Sequence, residues 1–334
     1  MEMRRCGQSD IEISAIGIGC WSFGGGEDDY WGKQEQEKAN EVVKTALDMG
    51  INHFDTAEAY NNGRSEEALG KALQGIRDEV VVASKIAPSN CQQGVITEHC
   101  EASLQRLDTD YVDIYYVHWP ITEYPVDEAF EELTELKQAG KIRSICVSNF
   151  GPTQLSEALD TGAQIDLNQL NYSLLSRAIE VEIVPMCMEN NIGVVGYMPL
   201  MQGILAGKYH DIEEIPPVRR RTRHFSTDNP LTRHGEPGAE DEVFRVVDEL
   251  REISDEMGVP MAELAIAWCI NKPGITCSLV GARDAEQVKM NARAAEVKMS
   301  DEIMQRLDDL TEPLLNKLGS NADYWQSGEK SRIQ

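Results

Sequence analysis

The sequence predicts an α/β fold in which eight parallel strands and their helices close into a (β/α)8 TIM barrel. Short apolar runs alternate with segments of helical periodicity, and this alternation recurs eight times along the chain. Polar side chains follow most of the apolar runs, as expected where parallel strands end at one face of a barrel. The length of 334 residues suits a barrel of about 250 residues with additions.

The predicted strands are short and mostly apolar. They cover residues 15–20, 51–55, 80–84, 112–117, 144–147, 165–170, 193–197 and 277–280. The predicted helices carry apolar residues at helical spacing and cover residues 37–49, 65–74, 95–107, 126–139, 152–159, 179–189, 261–271 and 285–295. Gly50, Gly75 and Gly140 stand at expected helix ends, and Pro152 opens the helix after Asn149.

Three segments lie outside this repeat. Residues 1–14 are predicted to form a hairpin that plugs the amino-terminal end of the barrel. Residues 209–240 form a long insertion loop between the seventh and eighth strands, and an extra helix follows near residues 241–257. Residues 312–334 form a polar carboxy-terminal tail. No linker divides the chain, so residues 1–334 are expected to form a single barrel domain.

Composition and charge exclude several kinds of protein. Lys and Arg total 31 against 57 Asp and Glu, and the resulting charge of −26 repels nucleic acid and anionic lipid headgroups. The amino terminus lacks an apolar leader core, and no run of about 18 apolar residues occurs, so a cytoplasmic location is expected. The eight cysteines form no C-x-x-C pair and are expected to be reduced and structural.

Four polar side chains fall at or just beyond the carboxyl ends of consecutive predicted strands. They are Asp55, Tyr60, Lys85 and His118. The ammonium of Lys85 is expected to ease proton release from the Tyr60 phenol, with Asp55 keeping the lysine charged. His118 can donate a hydrogen bond to a carbonyl oxygen beside the tyrosine. This set is suited to protonating an oxygen while a hydride reaches the adjacent carbon.

A hydride donor is then required, and the chain contains no G-x-G-x-x-G motif after a strand. Other residues suit an extended nicotinamide nucleotide. Ser148, Asn149 and Gln169 are suitable partners for a carboxamide, while Tyr197 offers an aromatic face for a flat ring. Residues 201–208 offer backbone amides and a lysine for a pyrophosphate.

Seven segments, in order along nearly the whole chain, closely resemble the bacterial type of the aldo-keto reductase family. They are FDTAEAY at 54–60, ASKIA at 83–87, DYVDIYYVHWP at 110–120, GKIRSICVSNF at 140–150, NQLNYSLLSR at 168–177, GYMPLMQGILAGKY at 196–209 and LVGARDAEQVKMN at 279–291. The resemblance implies a barrel enzyme that interconverts carbonyl and alcohol groups with NADP(H), NAD being less favoured.

The resemblance also implies roles for individual residues. Asp55, Tyr60, Lys85 and His118 would form the catalytic tetrad. Tyr60 would be the general acid in reduction and the general base in oxidation. No metal is implied.

The cofactor site implied by the resemblance extends across the barrel. It comprises Cys20, Trp21, Asp55, Ser148, Asn149, Gln169, Tyr197, Leu200, Gly203, Lys208, Gly281, Arg283, Gln287 and Asn291. One residue departs from the family pattern, because Met290 replaces the usual acid that contacts the adenine amine. Arg283 nevertheless favours NADP, since a guanidinium suits a phosphate monoester.

Aromatic residues near the expected site indicate the substrate class. They are Trp21, Phe23, Tyr30, Trp31 and Trp119. Flat rings pack on the apolar faces of sugars, and the carboxylates of Asp28 and Asp29 can accept hydroxyl hydrogens. A small-molecule sugar, polyol or sugar-derived carbonyl compound is therefore the expected substrate. Tyr324 and Trp325 either close the pocket or pin the tail.

Several alternatives stay open. Ser148 and Asn149 can instead cap the helix that follows them. The basic cluster at residues 219–224 is either a solvated loop paired with carboxylates or a cover over the cofactor or an anionic substrate. A rival function is a regulatory subunit that senses the cofactor, since relatives of this family accompany ion channels. Another is a metal-dependent hydrolase or isomerase built on His53, Asp55 and His118, with Lys85 as a carbamate ligand.

Overall fold

The computed structural model describes residues 1–334 and contains ten strands. They are β1 Met3–Arg5, β2 Glu12–Ser14, β3 Ile16–Gly19, β4 His53–Asp55, β5 Val81–Ile86, β6 Val112–Val117, β7 Ile142–Ser148, β8 Ile165–Asn171, β9 Gly193–Tyr197 and β10 Ile275–Gly281. Strands β3 to β10 close into one barrel with parallel neighbours, and β10 pairs with both β9 and β3. The predicted (β/α)8 barrel is confirmed.

Ten α-helices surround the barrel. They are α1 Gln36–Asp48, α2 Arg64–Ala72, α3 Ile96–Leu107, α4 Val126–Gln138, α5 Pro152–Asp160, α6 Ile183–Glu189, α7 Glu240–Met257, α8 Met261–Asn271, α9 Ala285–Arg293 and α10 Asp301–Leu318. α7 is the predicted extra helix. No helix is both long enough and apolar enough to cross a membrane.

Three boundaries differ from the sequence prediction. β5 continues to Ile86, so Lys85 lies inside the strand. The helix predicted at residues 179–189 divides into a short 3-10 turn, Ala178–Glu180, and α6. α10 was not predicted, and it converts residues 312–318 of the expected tail into helix. The Ser300 side chain caps this helix by accepting from the Ile303 amide at 3.3 Å.

The amino-terminal hairpin closes one end of the barrel, as predicted. β1 and β2 pair antiparallel, and Cys6, Ile11 and Ile13 of the hairpin are buried. They pack with interior side chains of the barrel, including Ile114 and Leu167, in one hydrophobic cluster. The larger hydrophobic core lies between the barrel and its helices. All eight cysteines are free and buried.

Candidate active site

Asp55, Lys85 and Gln169 meet at the carboxyl ends of the barrel strands, which we call the mouth. Lys85 is fully buried, and its Nζ donates to the Asp55 carboxylate and, at 2.7 Å, to the Thr56 carbonyl. Gln169 Nε2 donates to the other Asp55 oxygen at 2.8 Å. Parallel register sets β4 beside β5, so the acid and the amine face each other inside the barrel. Asp55 therefore has both oxygens engaged and the lysine is held in place.

Tyr60 lies beside this pair because of an unusual turn. Asn61, Asn62 and Gly63 all have left-handed backbone angles, with φ of 52°, 56° and 85°. Asparagine and glycine tolerate this conformation better than other residues. The turn brings the Tyr60 ring centre 4.8 Å from Lys85 Nζ and 5.6 Å from the centre of the His118 imidazole. The structure thus brings the four predicted tetrad residues together.

Asn61 also ties this turn to the segment after β3. Its Nδ2 donates to the backbone oxygens of Trp21 at 2.9 Å and Phe23 at 2.8 Å. The Trp21 ring stacks on the Tyr60 ring, with centres 5.4 Å apart. The phenol is therefore fixed between a buried ion pair and an aromatic wall.

Burial sets the protonation states of these groups. Burial raises the pKa of Tyr60 well above its usual value, and the Asp55 charge adds to the rise. The expectation that Lys85 lowers this pKa is wrong for this structure, because the ammonium lies over the ring and is paired with Asp55. Burial lowers the pKa of His118 to about 3, helped by the Lys85 charge. The phenol is therefore protonated and the imidazole neutral at neutral pH.

A second polar group surrounds the predicted nicotinamide position. Ser148 Oγ donates to the Gln169 carbonyl at 3.0 Å, and Asn149 Nδ2 donates to the His118 carbonyl at 3.1 Å. Tyr197 Oη donates to Asn149 Oδ1 at 2.7 Å. Helix α5 is capped elsewhere, with Gly151 as its N-cap residue and Gln154 as the side chain that accepts from the Gly151 amide. The capping alternative for Ser148 and Asn149 is therefore wrong.

The residues predicted for the phosphates lie on two exposed segments of the mouth. Gly203 has a φ of 97° in the 3-10 turn Met201–Ala206, and Lys208 beyond it is exposed. Gly281 is exposed, with no atom within 4 Å of the position that a Cβ would take. Arg283 donates to the Lys33 carbonyl at 3.0 Å, and the Gln287 side chain accepts from the Arg283 amide at 3.0 Å. Leu200 is half-buried next to this turn.

The basic cluster at residues 219–224 divides into two groups. Arg223 is buried and paired with Glu236 at 2.9 Å, which agrees with the structural alternative for this residue. Arg219 and Arg221 have no carboxylate partner. They lie over the rings of Trp31 and Tyr30, at 5.7 and 5.4 Å from the ring centres. These two arginines therefore face the segment that follows β3.

Two of the residues predicted to contact ligands do not reach the surface of the mouth. Cys20 and Phe23 are both fully buried, and Phe23 belongs to the hydrophobic core. The sequence placed them beside the site correctly, but their side chains point into the packing behind it. Asp29 is also engaged elsewhere, since it accepts from Arg64 at 2.7 Å. Of the two acids expected to accept hydroxyl hydrogens, Asp28 alone has no partner.

The other aromatic residues line the mouth. Trp21 is 38% exposed and stacks on Tyr30, and Trp31 packs edge-on against both rings. On the opposite side, Trp325 of the tail packs edge-on against Trp119, with ring centres 6.3 Å apart. Trp325 also lies 6.5 Å from the Tyr197 ring in a nearly parallel orientation.

Tyr324 and Trp325 have different roles in the tail. Tyr324 is buried, its hydroxyl accepts from the Ala178 amide at 3.0 Å, and its ring stacks on His224. It pins the tail, whereas Trp325 faces the mouth. Both expectations for this pair therefore hold, one for each residue.

Sequence reasoning missed two buried carboxylates behind the tetrad. Glu66 is fully buried, accepts from Ser84 and pairs with Arg106 at 2.6 Å. Glu58 receives three hydrogen bonds from neighbouring loops. A signal was present in the sequence, since Glu58 stands between Asp55 and Tyr60 within FDTAEAY. No group of three or more His, Cys, Asp or Glu side chains is arranged to hold a metal ion.

Comparison with known proteins places this geometry in a family. The model of the Aldo/keto reductase family matches residues 15–312. An aldo-keto reductase of Bacillus subtilis is 34% identical over 304 residues, covering 86% of this chain and 87% of that protein. A probable voltage-gated potassium channel subunit beta of Arabidopsis thaliana is 31% identical, with coverage of 89% and 92%. An NADH-specific methylglyoxal reductase of Escherichia coli is 32% identical, with coverage of 92% and 98%.

Solved structures agree with this assignment. A thermostable aldo-keto reductase, Tm1743, in complex with the inhibitor epalrestat has a TM-score of 0.76 and 31% identity, with 93% of this chain and 100% of that chain covered. An aldo/keto reductase from Klebsiella pneumoniae in complex with NADP and acetate has a TM-score of 0.73 and 27% identity, with coverage of 100% and 99%.

Proposed function

The chain belongs to the aldo/keto reductase family, and on that premise we propose that it interconverts a carbonyl and an alcohol by hydride transfer with NADP(H). The observation that carries this proposal is the convergence of Asp55, Tyr60, Lys85 and His118 at the mouth. A bound nicotinamide dinucleotide supplies the hydride in reduction and accepts it in oxidation.

The four residues divide the proton chemistry between them. Tyr60, protonated at neutral pH, gives its hydroxyl proton to the oxygen of the substrate in reduction. The neutral His118 imidazole donates a hydrogen bond to the same oxygen and so fixes its position. Lys85 holds positive charge beside the phenol while the proton leaves, and Asp55 holds Lys85 in place.

Unpaired cations support the binding of an anionic dinucleotide. Most Lys and Arg side chains of the chain have a carboxylate oxygen within 4 Å, yet Lys208, Arg219, Arg220, Arg221 and Arg283 have none. In a chain of charge −26, cations left without partners at one mouth fit a pyrophosphate and a ribose phosphate. The Nε of Arg220 is buried without a hydrogen-bond partner.

The adenosine end also contains free acceptors. Gln34 Oε1 and Asn291 Oδ1 are buried without partners, on side chains that bind the carbonyls of Arg283 and Gly281 respectively. These amide oxygens can accept from the adenine amine where Met290 cannot. Arg283, free of any carboxylate, supports NADP over NAD because it suits a ribose phosphate.

We propose a sugar, a polyol or a sugar-derived aldehyde or ketone as substrate. The support is the aromatic lining of the mouth by Trp21, Trp31, Trp119 and Trp325. Such rings pack on the apolar faces of sugars, and Asp28 is the carboxylate left to accept hydroxyl hydrogens.

The Tyr60→Phe variant tests the function directly. It should bind NADPH with unchanged affinity, measured by quenching of tryptophan fluorescence, and lose at least about 100-fold in kcat with aldehydes and aldoses. Full activity in this variant would overturn the mechanism. A crystal soaked with NADP and candidate sugars would then identify the substrate. Absence of turnover by the wild-type chain across the panel would instead favour the cofactor-sensing role.

A further inference from the structure

Glu58 forms a tie between two loops of the active site. Its side chain is only 8% exposed. Oε1 accepts from the Ala87 amide and from Asn90 Nδ2, both at 2.8 Å. Oε2 accepts from His99 Nδ1 at 2.7 Å. One carboxylate therefore joins the loop after β4, the loop after β5 and helix α3.

The tie connects the two catalytic groups whose relative position matters most. Glu58 precedes Tyr60 by two residues, and Ala87 follows Lys85 by two residues. The Glu58 amide also donates to the Lys85 carbonyl at 3.3 Å. Because proton transfer depends on the placement of the phenol, a shift of the Tyr60 loop against β5 would lower the rate without removing any reacting group.

Little apolar packing holds this loop from outside. A cavity of about 350 Å³ lies there, lined mostly by polar side chains that include Glu58, Asn90, His99 and Arg106. Hydrogen bonds across this cavity, rather than close-packed side chains, fix the outer side of the loop. From these contacts we infer that Glu58 is a positioning residue, which holds Tyr60 in register with Lys85 and His118.

The chain offers a matched control in Glu132 on α4. This side chain is also buried, and it accepts from Gly94 N at 2.6 Å, Thr97 N at 2.8 Å and Thr97 Oγ1 at 2.6 Å. It anchors the start of the same helix, α3, but contacts neither the Tyr60 loop nor the loop after Lys85. Loss of Glu132 therefore costs similar hydrogen bonds without touching the site.

The inference rests on the proposed reductase function and is tested by comparing Glu58→Ala, Glu58→Gln and Glu132→Ala. Glu58→Ala should lower kcat for 4-nitrobenzaldehyde with NADPH at least about tenfold, with the NADPH dissociation constant and the aldehyde KM within about twofold of wild type. Glu58→Gln keeps an Oε1 that accepts from Ala87 and Asn90, so it should recover most of the rate. Glu132→Ala should lose a similar amount of thermal stability and keep its kcat.

A second measurement does not depend on turnover. Hydrogen–deuterium exchange of the protein without cofactor should become faster in the peptide that covers residues 56–63 in Glu58→Ala, but not in Glu132→Ala. If Glu58→Ala does not fold, Asn90→Ala removes one of the two bonds to Oε1 at a half-buried position and should show the same changes to a smaller degree.

Two results would overturn the positioning role. One is wild-type kcat and wild-type exchange in Glu58→Ala. The other is an equal loss of kcat in Glu58→Ala and Glu132→Ala, which would mean that general destabilisation explains both. A wild-type chain without any reductase turnover would count against the proposed function alone, because the exchange experiment still tests the tie.

Discussion

Tyr60 and His118 keep the protonation states that reduction requires because both are shielded from water. Lys85 cannot offset this effect at the hydroxyl, since its N–H groups are directed to Asp55 and Thr56 and its charge lies over the ring. A phenol with a raised pKa holds its proton, which favours donation and disfavours action as a base.

This electrostatic arrangement predicts different pH dependence in the two directions. Reduction needs the protonated phenol, which is present throughout pH 6 to 8, so its kcat should be flat. Oxidation needs the phenolate, whose fraction rises on the order of tenfold per pH unit below the pKa, so its kcat should rise steadily. His118, with its pKa lowered to about 3, does not titrate in this range. Steady-state rates in both directions provide the test, and a reduction rate that falls above pH 7 would contradict it.

Single residues of the site differ in how far the sequence could place them. Asp55 and His118 could be placed because they end predicted strands, and those ends meet in a barrel. The burial of Cys20 and Phe23 could not be predicted, because it depends on how the segment after β3 folds back over Asn61. The sign of the Tyr60 shift depends on the orientation of Lys85, which sequence spacing does not contain.

The insertion and the segment after β3 meet above the mouth. Tyr30 Oη donates to Gln202 Oε1, and Arg219 lies over Trp31 while donating to Tyr209 Oη at 2.8 Å. These contacts join two long connections that come from opposite ends of the chain. The insertion is therefore docked onto the mouth, where its unpaired arginines can reach a bound anion.

Removing two of these arginines tests whether the insertion covers the cofactor. The Arg219→Ala, Arg221→Ala double variant should raise the NADPH dissociation constant about tenfold, because each side chain supplies charge and packing to the cover. Arg233→Ala is the control, since Arg233 is exposed on the same segment and has no carboxylate partner. Unchanged affinity in the double variant would remove the cover and leave a packed surface loop.

The tail tests the other side of the mouth. Trp325→Ala should raise the KM for an aromatic aldehyde about fivefold, because it removes one ring of the wall formed with Trp119. The tail itself should stay in place, since Tyr324 is buried and Arg332 forms a bidentate pair with Asp323 at 2.8 Å. Trp325→Phe keeps a ring and should recover most of the affinity. Equal KM values in all three proteins would show that the tail does not line the substrate site.

At the level of elements, the regular repeat was predictable and its additions were not. The strands and most helices follow from apolar periodicity, which reflects burial on one face. α10 continues through Pro313, a residue that usually ends a helix, so the tail begins later than the sequence indicated. Its position across the mouth depends on contacts with distant residues such as Ala178 and Thr153.

The charge of the whole molecule is distributed unevenly. Acidic side chains outnumber basic ones almost twofold, and many of the exposed ones have no cationic partner. The cations without partners are concentrated on the insertion and near the start of α9, at the mouth. An anionic ligand is therefore repelled by most of the surface and attracted at one end of the barrel.

The same charge predicts that salt stabilises the fold. Self-repulsion among carboxylates weakens when the Debye length falls from about 20 Å to about 4 Å, so the Tm should rise by several degrees between 0.02 and 0.5 M NaCl. Glu135, Glu157 and Glu312 are exposed carboxylates without ion-pair partners. A variant with glutamine at all three positions should have a higher Tm at low salt and a smaller rise with salt. Calorimetry without cofactor separates this effect from ligand binding, and a Tm that falls with salt would mean that surface ion pairs outweigh the net repulsion.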